Sequence, residues 1–300
     1  MMNIKYKLSP YCYVPESKMI YPERSLIDQC TREEFKNKFA KGIYGSHEFA
    51  VMEVIYKYGY INRFNIERVL GRTIRPNYKN LIKQMNEDEV IERYCYDDTI
   101  LYAMTDAGKQ FMYSKRNKSR AIPEIGVKEK ERHPAKLLEI ASMAQYHISI
   151  ISSLNNVVEV DDKFYKICKL TNHNIVLPSY IYLKGRLKSI YIVGMPAAKY
   201  GDGMEFIDTL IYCDKILLNT LPVNKVMLVV VIVCTSISEI IKIGRFISRS
   251  NVLSNITPLY ALDSNTAKAK GLKWVYMFQQ DEDIDLISIS IDIKGTLYNI

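Results

Sequence analysis

Between positions 57 and 83 the chain carries seven basic side chains, Lys57, Arg63, Arg68, Arg72, Arg75, Lys79 and Lys83, and one acid, Glu67. A net charge of +6 over so short a span suits a surface that meets phosphates. Each phosphate neutralised releases condensed counterions and adds affinity that does not depend on base sequence. Specificity needs side chains that pair with base edges, and Arg75, Asn77 and Lys79 are of the types that match guanine and adenine in the major groove. Asn80 faces the same groove or lies along the backbone. With a flanking phosphate contact from Arg93, the candidate DNA-binding set is Arg63, Arg72, Arg75, Asn77, Tyr78, Lys79, Asn80, Lys83 and Arg93. The competing readings are a basic helix that is merely solvated and a protein-interaction module.

A second stretch, LPSYIYLKGRLKSIYIVGMPAAK at 177–199, reads as two strands joined by a tight turn. Metal-dependent DNA cleavage needs carboxylates that converge on a divalent ion, commonly with a lysine near the attacked phosphate. In the PD-(D/E)xK nuclease architecture a hairpin supplies them: an acid just after a proline, and an acid-x-Lys set on the next strand. Here the proline is Pro178 and the next residue is Ser179, while the second set falls on Gly194, Met195 and Pro196. None is an acid or a lysine. Lys199 alone cannot hold a metal, and Asp202 and Glu205 belong to the following turn and helix. A nuclease built on this hairpin would have to draw its acids from Glu159, Asp161 or Asp162.

Other chemistries find less support. The four histidines, His47, His133, His147 and His173, are scattered, with no i, i+4 pair beside a carboxylate. His147 stands on an otherwise apolar helix and reads as a satisfied, partly buried residue. The six cysteines include no C-x-x-C pair and read as reduced thiols, so neither zinc nor a disulfide framework is expected. The GDG at 201–203 is too short for a phosphate loop and reads as a turn before a helix. Most of the 23 tyrosines fall at core or strand-face positions, which leaves little for single-strand stacking. A tyrosine relaxase would need a histidine cluster that is absent. The expectation is therefore no catalytic residue, no metal and no cofactor.

The elements that must position these residues are legible from periodicity. From Ser46, the residues Phe49, Val51, Met52, Val54 and Ile55 recur at helical spacing, and Gly59 ends the helix. NRFNIERVLG, at 62–71, predicts a second helix capped by Asn62 and closed by Gly71. A third opens near Pro76 and buries Tyr78, Leu81, Ile82 and Met85. Alternating runs at 90–96 and 99–105 flank Asp97 and Asp98, a hairpin whose acidic tip phosphate would repel. Helix, helix, helix, hairpin is the order of a winged helix-turn-helix, with Thr105 capping a further turn. Residues 1–44 read as an arm, 45–113 as the DNA-binding domain and 114–134 as a charged linker. The remainder, 135–300, reads as an α/β domain. It opens with a helix at 135–154 and has strands at 157–160, 163–169, 175–183, 188–194, 226–234 and 257–262. Helices are expected near 203–213 and 236–249, and one last strand at SISIDI.

Composition agrees with this division. Three hundred residues, 48% of them hydrophobic, suit two globular domains. The net charge of +8 is concentrated early: residues 1–120 hold 21 Lys and Arg against 15 Asp and Glu, and the rest hold 20 against 18. The longest apolar run, VMLVVVIVC, has the length of one buried strand, and the N-terminus lacks the apolar stretch of a signal peptide, which predicts a cytoplasmic protein with no membrane contact.

A basic winged helix, a charged linker, a long helix, the 177–199 hairpin, MEFIDTLIYCDKIL and VMLVVVIVCTSISEIIKIGRFI together resemble the replication-relaxation family of plasmids and integrative elements, over residues 45–265. That family's hairpin often carries Pro-Asp and a following Glu; Pro178 matches, and Ser179 and Gly194 depart. The resemblance implies an α+β chain: a winged helix-turn-helix followed by a PD-(D/E)xK nuclease-like domain with a degenerate active site. It also implies a double-stranded DNA-binding protein of a mobile element, acting in plasmid replication or as a relaxosome accessory factor in conjugation. The partner would be a relaxase or replication initiator, with a homodimer as a further option. The alternatives are a winged-helix transcriptional regulator and a metal-dependent nuclease.

Overall fold

A computed structural model of the chain describes residues 19–20, 44–71, 78–96, 99–106, 108–109, 112, 134–153, 160–169, 174–184, 189–197, 226–234, 236–250, 258–266, 274–279 and 284–288. Nearly all of the expected arm and linker, the Asp97–Asp98 tip and the helix expected at 203–213 lie outside them. The chain is of mixed helix and strand and divides into two units. The division falls between Ala144 and Gln145, inside the helix Pro134–Ser153.

In the first unit the apolar spacing at 51–58 folds as α1 (Ser46–Tyr58), with Val51, Met52, Val54, Ile55 and Tyr58 buried. Its start is held by Glu48, whose Oε2 accepts the Gly45 amide at 2.7 Å, half of a capping box. Gly59 ends it with φ 76°, a left-handed value that glycine adopts without steric cost. β2 (Ile61–Asn62) follows at once, and Asn62 then caps α2 (Arg63–Leu70) by accepting the Asn65 amide at 2.8 Å.

α3 (Tyr78–Glu87) buries Ile82 and Met85 as its spacing predicts, but leaves Leu81 half-buried. β3 (Ile91–Tyr96) and β4 (Thr99–Met104) form the expected hairpin. The sequence does not reveal what joins it. β2 pairs with β4 through Ile61↔Tyr102 and Asn62↔Leu101, and β1 (Met19–Ile20) pairs with β3, giving the antiparallel order β1-β3-β4-β2. Thr105 caps the next turn as expected, its hydroxyl accepting the Gly108 amide at 3.0 Å.

Asn62 thus belongs to a strand and a cap at the same time, and it is buried. Replacing it with alanine removes an acceptor from a buried amide, so Asn62→Ala should cost about 1–2 kcal/mol. Asn62→Asp should keep most of the stability. Hydrogen exchange at the Asn65 amide measures both; equal protection in Asn62→Ala and the parent would sink the assignment.

The second unit is a seven-stranded mixed sheet among the described residues, in the order β11-β10-β9-β8-β7-β6-β5. β5 (Val160–Lys169), β6 (Asn174–Lys184) and β7 (Ser189–Pro196) form an antiparallel meander. β8 (Val226–Cys234) lies parallel to β7 and to β9 (Leu259–Leu262). β10 (Trp274–Phe278) and β11 (Ile284–Ser288) complete the sheet antiparallel. β8 is its centre, which explains the unbroken apolar run: Leu228 to Cys234 are all buried, as in a strand covered on both faces.

Three details differ from the sequence expectation. The break expected between the strands at 157–160 and 163–169 is absent: β5 runs from Val160 through Asp161 and Asp162, which pair with Tyr182 and Ile181, and 157–159 lie outside the described residues. Among the described residues the last strand is β11, held by β10, a strand that no polar alternation announces; the expected SISIDI lies outside them but for Ser288. His147 is completely buried, not partly so.

Among the described residues, two long helices pack on this sheet. Residues 145–153 of α4 (Pro134–Ser153) contribute to the unit, reaching Ser179 of β6 and the end of β9. α5 (Ile237–Ser250) joins β8 to the parallel β9 and packs Ile240, Ile243 and Ile247 against Val193, Val230, Ile232 and Tyr260. Burying each of those isoleucines contributes about 1.5–3 kcal/mol.

Candidate functional site

In the first unit the candidate DNA-contacting residues separate into three groups. Asn80, Lys83 and Gln84 are exposed on α3, opposite the face that Ile82 and Met85 hold in the core. Tyr78 and Lys79 open the same helix. Arg63 and Arg93 come together from separate elements: Arg93 is the cross-strand partner of Tyr102, and Arg63 directly follows the strand that pairs beside it. Burial pushes the Tyr102 phenol up, and the charges of Arg93 and Arg63 pull it down, so both cations lie close to that ring. Arg72, Arg75 and Asn77 lie outside the described residues.

The charge surplus of residues 57–83 is smaller at the surface than in the sequence. Arg68 is half-buried, its guanidinium stacked 5.5 Å from the Phe64 ring centroid and 3.4 Å from Asn65 Oδ1. Burial lowers its pKa, and the stacking on Phe64 and the contact with Asn65 give the side chain a packing role. Arg63 pairs with Glu67 at 2.8 Å and Lys83 with Glu87 at 3.5 Å, both exposed i, i+4 contacts. Exposed pairs of this kind hold by only about 0.3–0.5 kcal/mol, so a phosphate can take either cation from its carboxylate.

The 177–199 hairpin of the second unit brings together the two positions that the acid pattern singles out. Tyr180↔Val193 is the end of the β6–β7 register, and Ser179 and Gly194 stand side by side just beyond it. Their environment is not a metal pocket. Ser179 is fully buried, adopts φ 48° and has its Oγ 3.0 Å from Nδ1 of the equally buried His147. The left-handed backbone interrupts pairing on both sides, since the β5–β6 ladder also skips this level, from Lys163↔Tyr180 to Tyr165↔Pro178. A β-carbon at Gly194 would lie 2.1 Å from Cε1 of Tyr146. The ring of Tyr146 therefore occupies the space where a second carboxylate would stand.

A strained serine hydrogen-bonded to a histidine has the composition of a nucleophile and its base. Both side chains are sealed from solvent, however, so no substrate reaches Oγ. The pair is a buried hydrogen bond that holds α4 to β6. Among the described residues, no three His, Cys, Asp or Glu side chains group as metal ligands. The donors at the hairpin, a serine hydroxyl and a glycine, do not fit a divalent ion. Met195 is buried against the opposite face, in the α5 core. Asp161 and Asp162 lie in β5, and Glu159, Lys199, Asp202 and Glu205 lie outside the described residues.

No spacing or motif singles out Asp263, the most unusual carboxylate described. It sits at the C-terminal end of β9, at the start of the short helix α6 (Asp263–Thr266), and is 1% exposed. Its Oδ1 accepts the Ser264 amide at 2.7 Å, while Oδ2 is buried without a hydrogen-bond partner. Gln145 of α4 reaches the same corner, donating to the Asp263 carbonyl at 3.2 Å and to Thr266 Oγ1 at 2.9 Å. Desolvation pushes the carboxyl up to about 7; the Ser264 amide opposes the shift, and the charge of Glu239 adds to it. Among the described residues, no helix is long and apolar enough to cross a membrane. No family model, curated protein or solved structure matches the chain.

Proposed function

We propose that this chain is a sequence-specific double-stranded DNA-binding protein whose first unit is a winged helix-turn-helix. The observation that carries the reading is the pairing of Ile61–Asn62 with β4. A short strand between the first two helices, added to the edge of the hairpin, is what makes three helices and a hairpin into a winged helix. It fastens α2 to the sheet, while α3 turns Asn80, Lys83 and Gln84 toward solvent. In that arrangement α3 enters the major groove, and the Arg63–Tyr102–Arg93 corner meets the flanking backbone.

The second unit is, in this reading, a PD-(D/E)xK-like scaffold without catalysis. Ser179, Gly194 and the Tyr146 ring support that view, because together they fill the position where the acids would converge. The protein then acts as a DNA-binding factor of a mobile element, in plasmid replication or in conjugative transfer, alongside a relaxase or replication initiator.

Footprinting on DNA from the protein's own locus, with and without magnesium, tests both halves. The expected result is a protected repeat with no strand cleavage. Magnesium-dependent cuts would overturn the non-catalytic reading, and protection confined to the gene's own promoter would make it a transcriptional regulator. Within a protected site, Arg75→Ala should cost about 1–3 kcal/mol more than on random DNA, whereas Lys83→Ala should weaken both equally and reduce the salt slope by about 0.9. Equal losses from Arg75→Ala on both DNAs would leave Arg75 as a backbone contact only.

A further inference from the structure

The second unit has a cationic surface of its own. α5 turns Ile240, Ile243 and Ile247 into the sheet core, and that choice fixes what faces outward. At 3.6 residues per turn, Lys242, Arg245 and Arg249 fall within about 60° of one another on the far side. All three are exposed, and Phe246, 46% exposed, stands beside them. The helix has a single acid, Glu239, in its first turn, where the helix dipole favours a negative charge. The dipole also favours Arg249 in the last turn. Residues 145–300 hold 16 basic and 14 acidic side chains, so the ridge is a local concentration in a nearly balanced unit.

We propose that this ridge, Lys242, Arg245 and Arg249 with Phe246 beside it, is a second contact for the phosphate backbone of duplex DNA. The proposal rests on the DNA-binding reading above and extends it to the unit that lacks the winged helix. The three cations span about 10 Å of helix axis, a length over which duplex DNA presents about six phosphate charges. An anionic membrane is a poorer match. Helices that lie on membranes insert an apolar face, and that face of α5 is already packed into the sheet. A backbone contact of this kind adds affinity and leaves sequence preference to α3.

The test uses the full chain with Lys242, Arg245 and Arg249 all replaced by alanine, and a second variant carrying Lys242→Arg, Arg245→Lys and Arg249→Lys. Binding to the footprinted site and to random duplex is followed by fluorescence anisotropy between about 50 and 200 mM salt, the range over which phosphate contacts change affinity most visibly. The alanine variant should bind both DNAs at least about tenfold more weakly, with its salt slope reduced by up to about 2.7 and its sequence preference intact. The charge-keeping variant should bind like the parent. An unchanged slope in the alanine variant, with Arg75→Ala still impairing the specific site, overturns the ridge and leaves the winged-helix reading standing. Loss through the ridge with no effect of Arg75 or Lys83 keeps the ridge and removes that reading. A parent protein that binds no duplex overturns both. Unchanged DNA binding together with lost binding to phosphatidylserine vesicles reassigns the ridge to a membrane surface and overturns the proposal.

Discussion

Gly194→Ala should destabilise the second unit by about 3 kcal/mol, a large effect for the addition of one methyl group. The ideal β-carbon would lie 2.1 Å from Cε1 and 2.6 Å from Cδ1 of Tyr146, and 3.0 Å from the β-carbon of Ser179. Carbon atoms in contact settle at about 3.5–4.0 Å, so something must move by more than about 1 Å. Neither neighbour is placed to do so: Tyr146 is fully buried on α4, and Ser179 is fixed by its left-handed backbone and its bond to His147.

A double-mutant cycle isolates the cause. Tyr146→Ala alone should cost about 3–5 kcal/mol through the cavity it leaves, and Gly194→Ala added to it should cost less than about 1 kcal/mol. Trp274, the one tryptophan of the chain, lies in β10, so its fluorescence during urea unfolding reports on this sheet. Equal penalties for Gly194→Ala with and without Tyr146 would mean that the close contact is not what makes glycine necessary. The same geometry bears on function. An acid introduced at 194 would displace the Tyr146 ring before it could meet a metal, so that single substitution does not build a metal site here.

The stability of the second unit should fall as pH rises from about 4 to about 7, contrary to the usual behaviour of carboxylates, because of Asp263. Its folded carboxyl is pushed up to about 7 from an ordinary 3.8, chiefly by burial, then by the charge of Glu239 against the opposing Ser264 amide. In that window the folded state keeps a proton that the unfolded state has released, so unfolding becomes easier with each step of pH. Below about pH 4 both states are protonated, and above about 7 both are ionised, so the contribution is level outside the window. The full shift corresponds to at most about 4 kcal/mol, at roughly 1.4 kcal/mol for each pH unit.

Asp263→Asn removes the titration. Measured against the parent at about pH 4.5, 6 and 8, the variant's relative stability should rise steadily by about 2–4 kcal/mol. Using the difference between the two proteins cancels the carboxylates they share. A difference that stays constant with pH would mean that Asp263 is ionised throughout and that Oδ2 has found a partner. The direction of the effect follows from one orphaned oxygen in a dry corner, at the end of a parallel strand where Gln145 satisfies the neighbouring backbone but not the carboxylate.

Helix ends and strand centres were determined by the sequence itself, because their causes are local. Asn62 and Gly71 bracket α2 through a side-chain acceptor and a left-handed glycine, and both are readable as residue types at a spacing. The continuous apolar run of β8 foretells a strand buried on both faces. The absence of acids at 179 and 194 is likewise a fact of sequence.

What fills those positions is decided only by tertiary structure. Tyr146 and His147 lie more than thirty residues from Ser179, on a helix whose pattern is simply apolar, and only the packing of α4 on the sheet makes one a plug and the other a hydrogen-bond partner. Charge shows the same limit. Arg68 counts as a surface cation until Phe64 is seen beneath it, and Asp263 counts as an ordinary carboxylate until β9 and α4 close around it. Spacing along the chain reports which face of an element is apolar; whether a charge on that element meets water, a phosphate or another side chain depends on contacts between residues far apart in sequence, and those exist only once the chain has folded.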